Sequence, residues 1–254
     1  MMLSVHAVSK LFGGLAALRE VSFQVARGEI KAVIGPNGAG KTTMFHLITG
    51  ILKPSSGRIE LADRSLQGLS AVQIARLGVA RTFQQPQIFR SLTVLENVML
   101  GADRHGRSGL LACGLALPRT RAEEARQITA AREQLAFTGL ADSADRIASD
   151  LPLGEQRYVE ITRALATGAS LLLLDEPAAG LDETETEKLR QLILRIRARG
   201  VTVLLIEHHM KFVMGIADSV LVLNFGAWLA DGTPAAIRQS QPVIDAYLGS
   251  SEDA

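Results

Sequence analysis

The sequence predicts an α/β protein, a parallel core interrupted by a helical lobe. Three observations lead there. Short apolar runs bounded by turn residues alternate with helical stretches at both ends of the chain. A Gly-rich loop, residues 35–42, lies between one such run and a helical stretch. Residues 93–169 carry helix-like patterning, including 121–137, with little strand signal.

Taken in order, residues 3–8 and 21–25 read as strands, and 30–34 is a compact apolar run containing one lysine. A helix from Lys41 should stop near Gly50. Pro54-Ser55-Ser56-Gly57 is a turn leading into a strand at 58–61. After the helical stretch, 170–175 is a buried strand. Residues 183–199 then form a helix with Leu189, Leu192, Ile193 and Ile196 on one face. Glu183, Glu185 and Glu187 near its start and Arg195, Arg197 and Arg199 near its end suit the helix dipole, and Gly200 is a natural stop. Residues 201–206 form another buried strand, and 250–254 read as a loose tail.

Composition narrows the function. Of 254 residues 47% are hydrophobic, enough for a sizeable core. The 27 basic and 26 acidic residues balance to +1, which argues against a general nucleic-acid binder. The single cysteine, Cys113, cannot form an internal disulfide and fits a reducing compartment. No N-terminal stretch reads as a signal peptide. No apolar run approaches the roughly 18 residues that cross a bilayer. The longest, residues 109–118 (GLLACGLALP), is read either as part of a docking face or as a buried loop.

The chemistry sits in two places. Gly35-Pro36-Asn37-Gly38-Ala39-Gly40-Lys41-Thr42 matches the P-loop pattern in the strand-to-helix context that pattern requires. Its backbone N–H groups, from Asn37, Gly38, Ala39 and Gly40 to Thr42 and Thr43, are expected to converge on phosphate oxygens at a helix N-terminus. Lys41 should reach the β- and γ-phosphates, and the Thr42 hydroxyl should ligate Mg2+. Asp175 ends an apolar strand, the usual place for a carboxylate that orders the magnesium shell. Glu176 follows, where it can polarise a water for in-line attack. These features predict a nucleotide triphosphatase.

The order and spacing of the remaining motifs resemble the ABC ATPase family over nearly the whole chain. The resemblance implies a P-loop core with an N-terminal antiparallel β subdomain (1–92 with 168–254) and an inserted helical subdomain (93–167). It makes Phe12 the aromatic that stacks on adenine. Gln84, with Gln85 as a neighbouring alternative, becomes the glutamine that meets Mg2+ and the attacking water. Asp182, in Ala178-Ala179-Gly180-Leu181-Asp182, lies in the loop that crosses a dimer interface. His208, with His209 as rival, becomes the histidine that bonds the γ-phosphate. His6, His46 and His105 have no motif around them and are assigned no role.

The signature segment departs from the family. Leu151-Pro152-Leu153-Gly154-Glu155-Gln156 stands where members commonly read Leu-Ser-Gly-Gly-Gln. Gly154 and a helix expected over 155–166 still present N–H groups to a γ-phosphate across a dimer. Pro152 offers no such donor, so the ATP site this signature completes is expected to be the weaker one.

Within the family the chain looks most like branched-chain amino-acid importers. The stretches that carry this likeness are Phe12-Gly13-Gly14-Leu15, Arg81-Thr82-Phe83-Gln84, the run from Ile206 to Ile216, Asp231-Gly232-Thr233-Pro234 and Ala246-Tyr247-Leu248-Gly249. The resemblance implies an ATPase that uses ATP and Mg2+. Its implied partners are a second ABC ATPase subunit, identical or a sister, two transmembrane permeases and, indirectly, a periplasmic or extracellular solute-binding protein. It would sit on the cytoplasmic face of the membrane and bind no nucleic acid. Alternatives are the ATPase of another transporter, such as a lipid or lipopolysaccharide exporter, a non-transport ABC ATPase, or a regulatory subunit with little turnover.

Overall fold

A computed structural model describes residues 1–102 and 118–248. Most of the apolar stretch at 109–118, with Cys113 and His105, lies outside the described residues, as does the tail at 250–254. The chain forms two compact units, Met1–Gln84 with Ser170–Ala254, and Gln85–Ala169.

The first unit is built on a mixed sheet. Strands β1 (Leu3–Phe12) and β2 (Leu15–Val25) form an antiparallel hairpin, extended on the β1 side by β4 (Ser56–Leu61) and β5 (Arg64–Ser65). The parallel part comprises β3 (Ile30–Ile34), β6 (Val79–Arg81), β7 (Leu171–Asp175), β8 (Thr202–Ile206) and β9 (Ser219–Asn224). β10 (Ala227–Gly232) returns antiparallel to β9 and meets β2 through the parallel pair Ala227 and Arg19. The full order is β5-β4-β1-β2-β10-β9-β3-β8-β7-β6.

Sequence explains the parallel part directly. Every residue of β3, β7 and β8 is buried, because strands covered on both faces need continuous apolar runs rather than alternation. The lysine inside β3 is answered locally. Lys31 Nζ donates to Asp231 Oδ1 at 2.7 Å and to Ser219 Oγ at 3.1 Å. The hairpin runs longer than the expected 3–8 and 21–25. Register shifts at Val5/Val8, Val8/Lys10 and Lys10/Leu11, with positive φ at Ala7 and Glu20, break the period of two that a sequence pattern relies on.

Helix α1 (Lys41–Ile48) follows β3, and α2 (Ala71–Arg76) is opened by a capping box between Ser70 and Gln73. In the second unit, α3 (Val94–Ala102), α4 (Pro118–Thr138) and α5 (Leu153–Ala166) supply Val98, Leu135 and Val159 to an apolar cluster that Leu151, just before α5, also joins. Fully buried Asn97 stitches the loop before α3. Its Nδ2 donates to the carbonyls of Phe89, Leu92 and Thr93, and its Oδ1 accepts from Phe89 N–H. Back in the first unit, α6 (Glu183–Ala198) buries Leu189, Leu192, Ile193 and Ile196, as their spacing predicts. Three shorter helices end the described chain: α7 (Met210–Ile216), α8 (Pro234–Arg238) and α9 (Gln241–Leu248). Among the described residues no helix is long and apolar enough to cross a membrane.

Candidate functional site

The loop from Gly35 to Gly40 connects β3 to α1, and its glycines are demanded by space. A Cβ on Gly35 would lie 2.1 Å from the Leu223 carbonyl oxygen. One on Gly40, at φ 95°, would lie 2.6 Å from the Ala17 carbonyl oxygen. The backbone can therefore pass close to β9 and β2 only if both positions lack side chains. Asn37, Gly38 and Thr42 are exposed, Gly40 and Thr43 are half-buried, and Ala39 is packed inside. Buried Lys41 folds back on the loop, its Nζ donating to Gly35 O at 2.6 Å and Pro36 O at 3.0 Å. Burial lowers the Lys41 pKa, while the nearby Glu176 and Asp175 charges push it back up.

Asp175, the last residue of β7, is buried, and Arg81 at the end of β6 holds it. Arg81 Nη2 lies 2.6 Å from Asp175 Oδ2, with both side chains almost wholly enclosed. Phe45 and Phe83 flank the guanidinium at 5.5 and 5.1 Å from their ring centres.

Glu176 adopts φ 47°, a left-handed conformation costly for a side chain of its size. Its N–H donates to Ile206 O at 2.9 Å and its carbonyl accepts from Ala179 N–H at 3.1 Å. Two side chains converge on its carboxylate. Gln84 Nε2 donates to Oε2 at 2.7 Å, and His208 Nδ1 lies 3.7 Å from Oε1. The neighbouring candidates stand elsewhere. Gln85 accepts from Gln87 Nε2 through its carbonyl. His209 precedes α7 and lines a groove with Leu181, Glu183 and Lys211.

Asp182 caps α6. Its Oδ1 accepts from Glu185 N–H at 2.7 Å, and Glu185 Oε2 accepts from Asp182 N–H at 3.1 Å. Phe12 is 45% exposed at the tip of the β1–β2 hairpin, with Lys10 Nζ 5.1 Å from its ring centre, so it is not a core aromatic. The second unit carries the signature segment. Leu151 and Gly154 are buried, Glu155 and Gln156 half-buried. The helix there begins at Leu153 rather than the expected 155, because Pro152 (φ −54°, ψ 153°) stands before it and lends its carbonyl to Gln156 N–H at 3.0 Å. Gly154 thus lies within the first turn, whose N–H groups have no intrahelical acceptor. Gln156 Nε2 turns back to the Leu151 carbonyl at 2.8 Å.

Sequence reasoning missed three contributors. Arg81 lies in the same quoted stretch as Gln84, but the stretch assigns it no role. Glu207 is completely buried, and its Oε1 accepts from Ala178 N–H at 2.8 Å, anchoring the segment that follows Glu176. Its Oε2 accepts from His208 N–H at 3.1 Å, tying that histidine to the same carboxylate. An acidic residue directly after an apolar strand was the available signal. Tyr247 lies against the Gly35 backbone, and burial pushes its phenol up to about 12.

A family profile described as ABC transporter matches residues 18–179. The chain is 45% identical over 251 residues to the high-affinity branched-chain amino acid transport ATP-binding protein LivG of Escherichia coli (strain K12), covering 98% of each chain. Among solved structures, it resembles the ADP conformation of an ATP-binding cassette of an ABC transporter. That match has a TM-score of 0.84 and 31% identity, with 98% of each chain covered. It also resembles a dimeric post-hydrolysis state of an ATP-binding cassette bound to ADP and Pi. There the TM-score is 0.77 and the identity 25%, covering 92% of this chain and 99% of that one.

Proposed function

This chain belongs to the ABC transporter family as an ATP-binding and ATP-hydrolysing subunit, and from that premise we propose that it energises uptake of branched-chain or other hydrophobic amino acids. The 45% identity to LivG over nearly the full length supports the solute class. The observation that carries the catalytic reading is the meeting of Gln84 and His208 on the Glu176 carboxylate, beside the Lys41 loop.

In the proposed mechanism, the N–H groups of the loop and of the first turn of α1 hold the phosphates. Lys41 exchanges its two carbonyl acceptors for phosphate oxygens, and Phe12 offers its exposed ring to adenine. The Thr42 hydroxyl, the Asp175 carboxylate and the Gln84 amide oxygen are hard oxygen donors of the type Mg2+ takes. Mg2+ held by these donors would supply positive charge against that developing on the phosphate oxygens. Glu176 takes the proton of the attacking water as its oxygen bonds to the γ-phosphorus and ADP leaves. Gln84 holds that carboxylate by its 2.7 Å hydrogen bond, and His208 stands beside it at 3.7 Å, so that on approach of the γ-phosphate its imidazole can bond phosphate next to the base. Asp182 and the Leu151, Gly154, Glu155, Gln156 segment act across a dimer, with the first turn of α5 serving the partner's nucleotide.

The likeness to a dimeric cassette supports a second ATPase subunit as partner. Two permeases and an extracytoplasmic binding protein complete the proposed assembly, with this subunit on the inner membrane face. The exchange Glu176→Gln keeps a hydrogen-bonding side chain but removes the base. It should cut hydrolysis by at least about a hundredfold while ATP still binds and drives dimerisation. Undiminished phosphate release would reject Glu176 as the base.

A further inference from the structure

We propose that Arg81 is a positioning residue of the ATP site: it holds the Asp175 carboxylate away from Lys41, so that Lys41 meets phosphate rather than acid. The inference rests on the assignment of Lys41 and Asp175 to that site.

Both acids at the end of β7 lie close enough to act on Lys41 electrostatically. A lysine beside two carboxylates would ordinarily pair with one of them. Here each carboxylate is taken by another group, and both groups come from one four-residue stretch. Arg81 grips Asp175 at 2.6 Å, and Gln84 grips Glu176 at 2.7 Å. Lys41 is left on two loop carbonyls, neutral acceptors that phosphate can displace.

The Arg81 pair is a poor device for stability alone. Among the described residues Arg81 Nε and Nη1 are buried with no hydrogen-bond partner, and a buried ion pair with orphaned N–H groups gains little over apolar residues of the same volume. The flanking Phe45 and Phe83 rings do restrict where the guanidinium can go. Phe45 lies on α1 and Phe83 one residue before Gln84. The charge is therefore fixed between the phosphate helix and the strand that leads to Gln84.

The test is equilibrium binding of a fluorescent ATP analogue, in EDTA and in excess Mg2+, to the wild type, Arg81→Met, Arg81→Gln and Arg81→Lys. Without Arg81 the Asp175 charge faces Lys41 and repels the incoming triphosphate. Arg81→Met and Arg81→Gln should bind on the order of tenfold more weakly in EDTA. Excess Mg2+ should shrink that deficit, because the ion restores a positive charge beside Asp175. Arg81→Lys should stay near wild type in both conditions. A purely structural role predicts a lower melting temperature with the same deficit whether or not metal is present, and that result would overturn the proposal. Unchanged EDTA binding in Arg81→Gln would overturn it equally, as would an Arg81→Lys defect as deep as that of Arg81→Met. Should Arg81→Met fail to fold, the glutamine and lysine variants decide. Failure of the wild type to bind the analogue would instead refute the ATP site itself.

Discussion

Replacing Pro152 by serine tests what the altered signature does, and the backbone there lets the effect be worked out. Pro152 holds φ −54° and ψ 153° and supplies no side-chain cap to α5. Serine adopts those angles without strain, and Glu155 already stands three residues on, so Pro152→Ser completes a Ser-x-x-Glu capping box. The new cap should contribute about 1 kcal/mol. Losing proline's restriction of the unfolded chain offsets it by about 0.4–1 kcal/mol. Stability should therefore stay level or rise slightly in urea unfolding. The hydroxyl can accept from the helix N–H while donating to a γ-phosphate of the partner's site. A hydrogen bond to a charged group is worth about 1.5–3 kcal/mol, an upper bound of roughly 10- to 100-fold in rate when it forms in the transition state. Steady-state phosphate release by the self-associated protein should rise several-fold, on the order of ten at most once solvent screening is allowed for. Unchanged or slower hydrolysis with undiminished stability would refute the claim that Pro152 weakens the site it completes.

The other expectations are simpler. Asn97→Ala leaves Phe89 N–H and three carbonyls without their buried partner, and should lower unfolding stability by about 1–3 kcal/mol or more in denaturant titration. A loss below half of that would place the loop closure elsewhere. For Lys41, burial disfavours the charged form, so its pKa lies below the ordinary 10.5 and the charge is lost earlier as pH rises. ATP affinity should accordingly fall on the alkaline side at a lower pH than a solvent-exposed lysine would allow, and Lys41→Arg should move that fall upward. A break at the ordinary lysine value in the wild type would contradict it.

Much of the molecule was legible in the sequence where local rules act alone. The phosphate loop declares itself because two of its positions cannot carry a side chain beside Leu223 and Ala17. The strands β3, β7 and β8 read as apolar runs because both of their faces are covered. Helix α6 shows its buried stripe, its acidic start and its basic end in order. Legibility fails where distant residues decide. Arg81 and Asp175 are 94 positions apart, and Glu207 lies 29 from the Ala178 N–H it accepts. No spacing rule links them. Choosing between adjacent candidates is likewise a tertiary matter, and only the turn after β8 aims His208 rather than His209 at Glu176. The hairpin ends were hidden by bulges that reset the strand period, and the start of α5 by a proline that reads as a breaker yet serves as the residue before the helix.

The central claim is that one protomer's Lys41 loop and its mate's α5 N-terminus complete a single hydrolytic site. Mixing two crippled proteins tests it most directly. Lys41→Ala removes the phosphate lysine and leaves the signature intact, whereas Gly154→Asp sets a repelling carboxylate in the first turn of α5 and leaves the loop intact. Each alone should hydrolyse ATP poorly. A mixed dimer regains one site with both halves sound, so combining the two should restore phosphate release well above the sum of the separate preparations. Activity no greater than that sum, from proteins that demonstrably exchange subunits, would contradict a site shared between protomers.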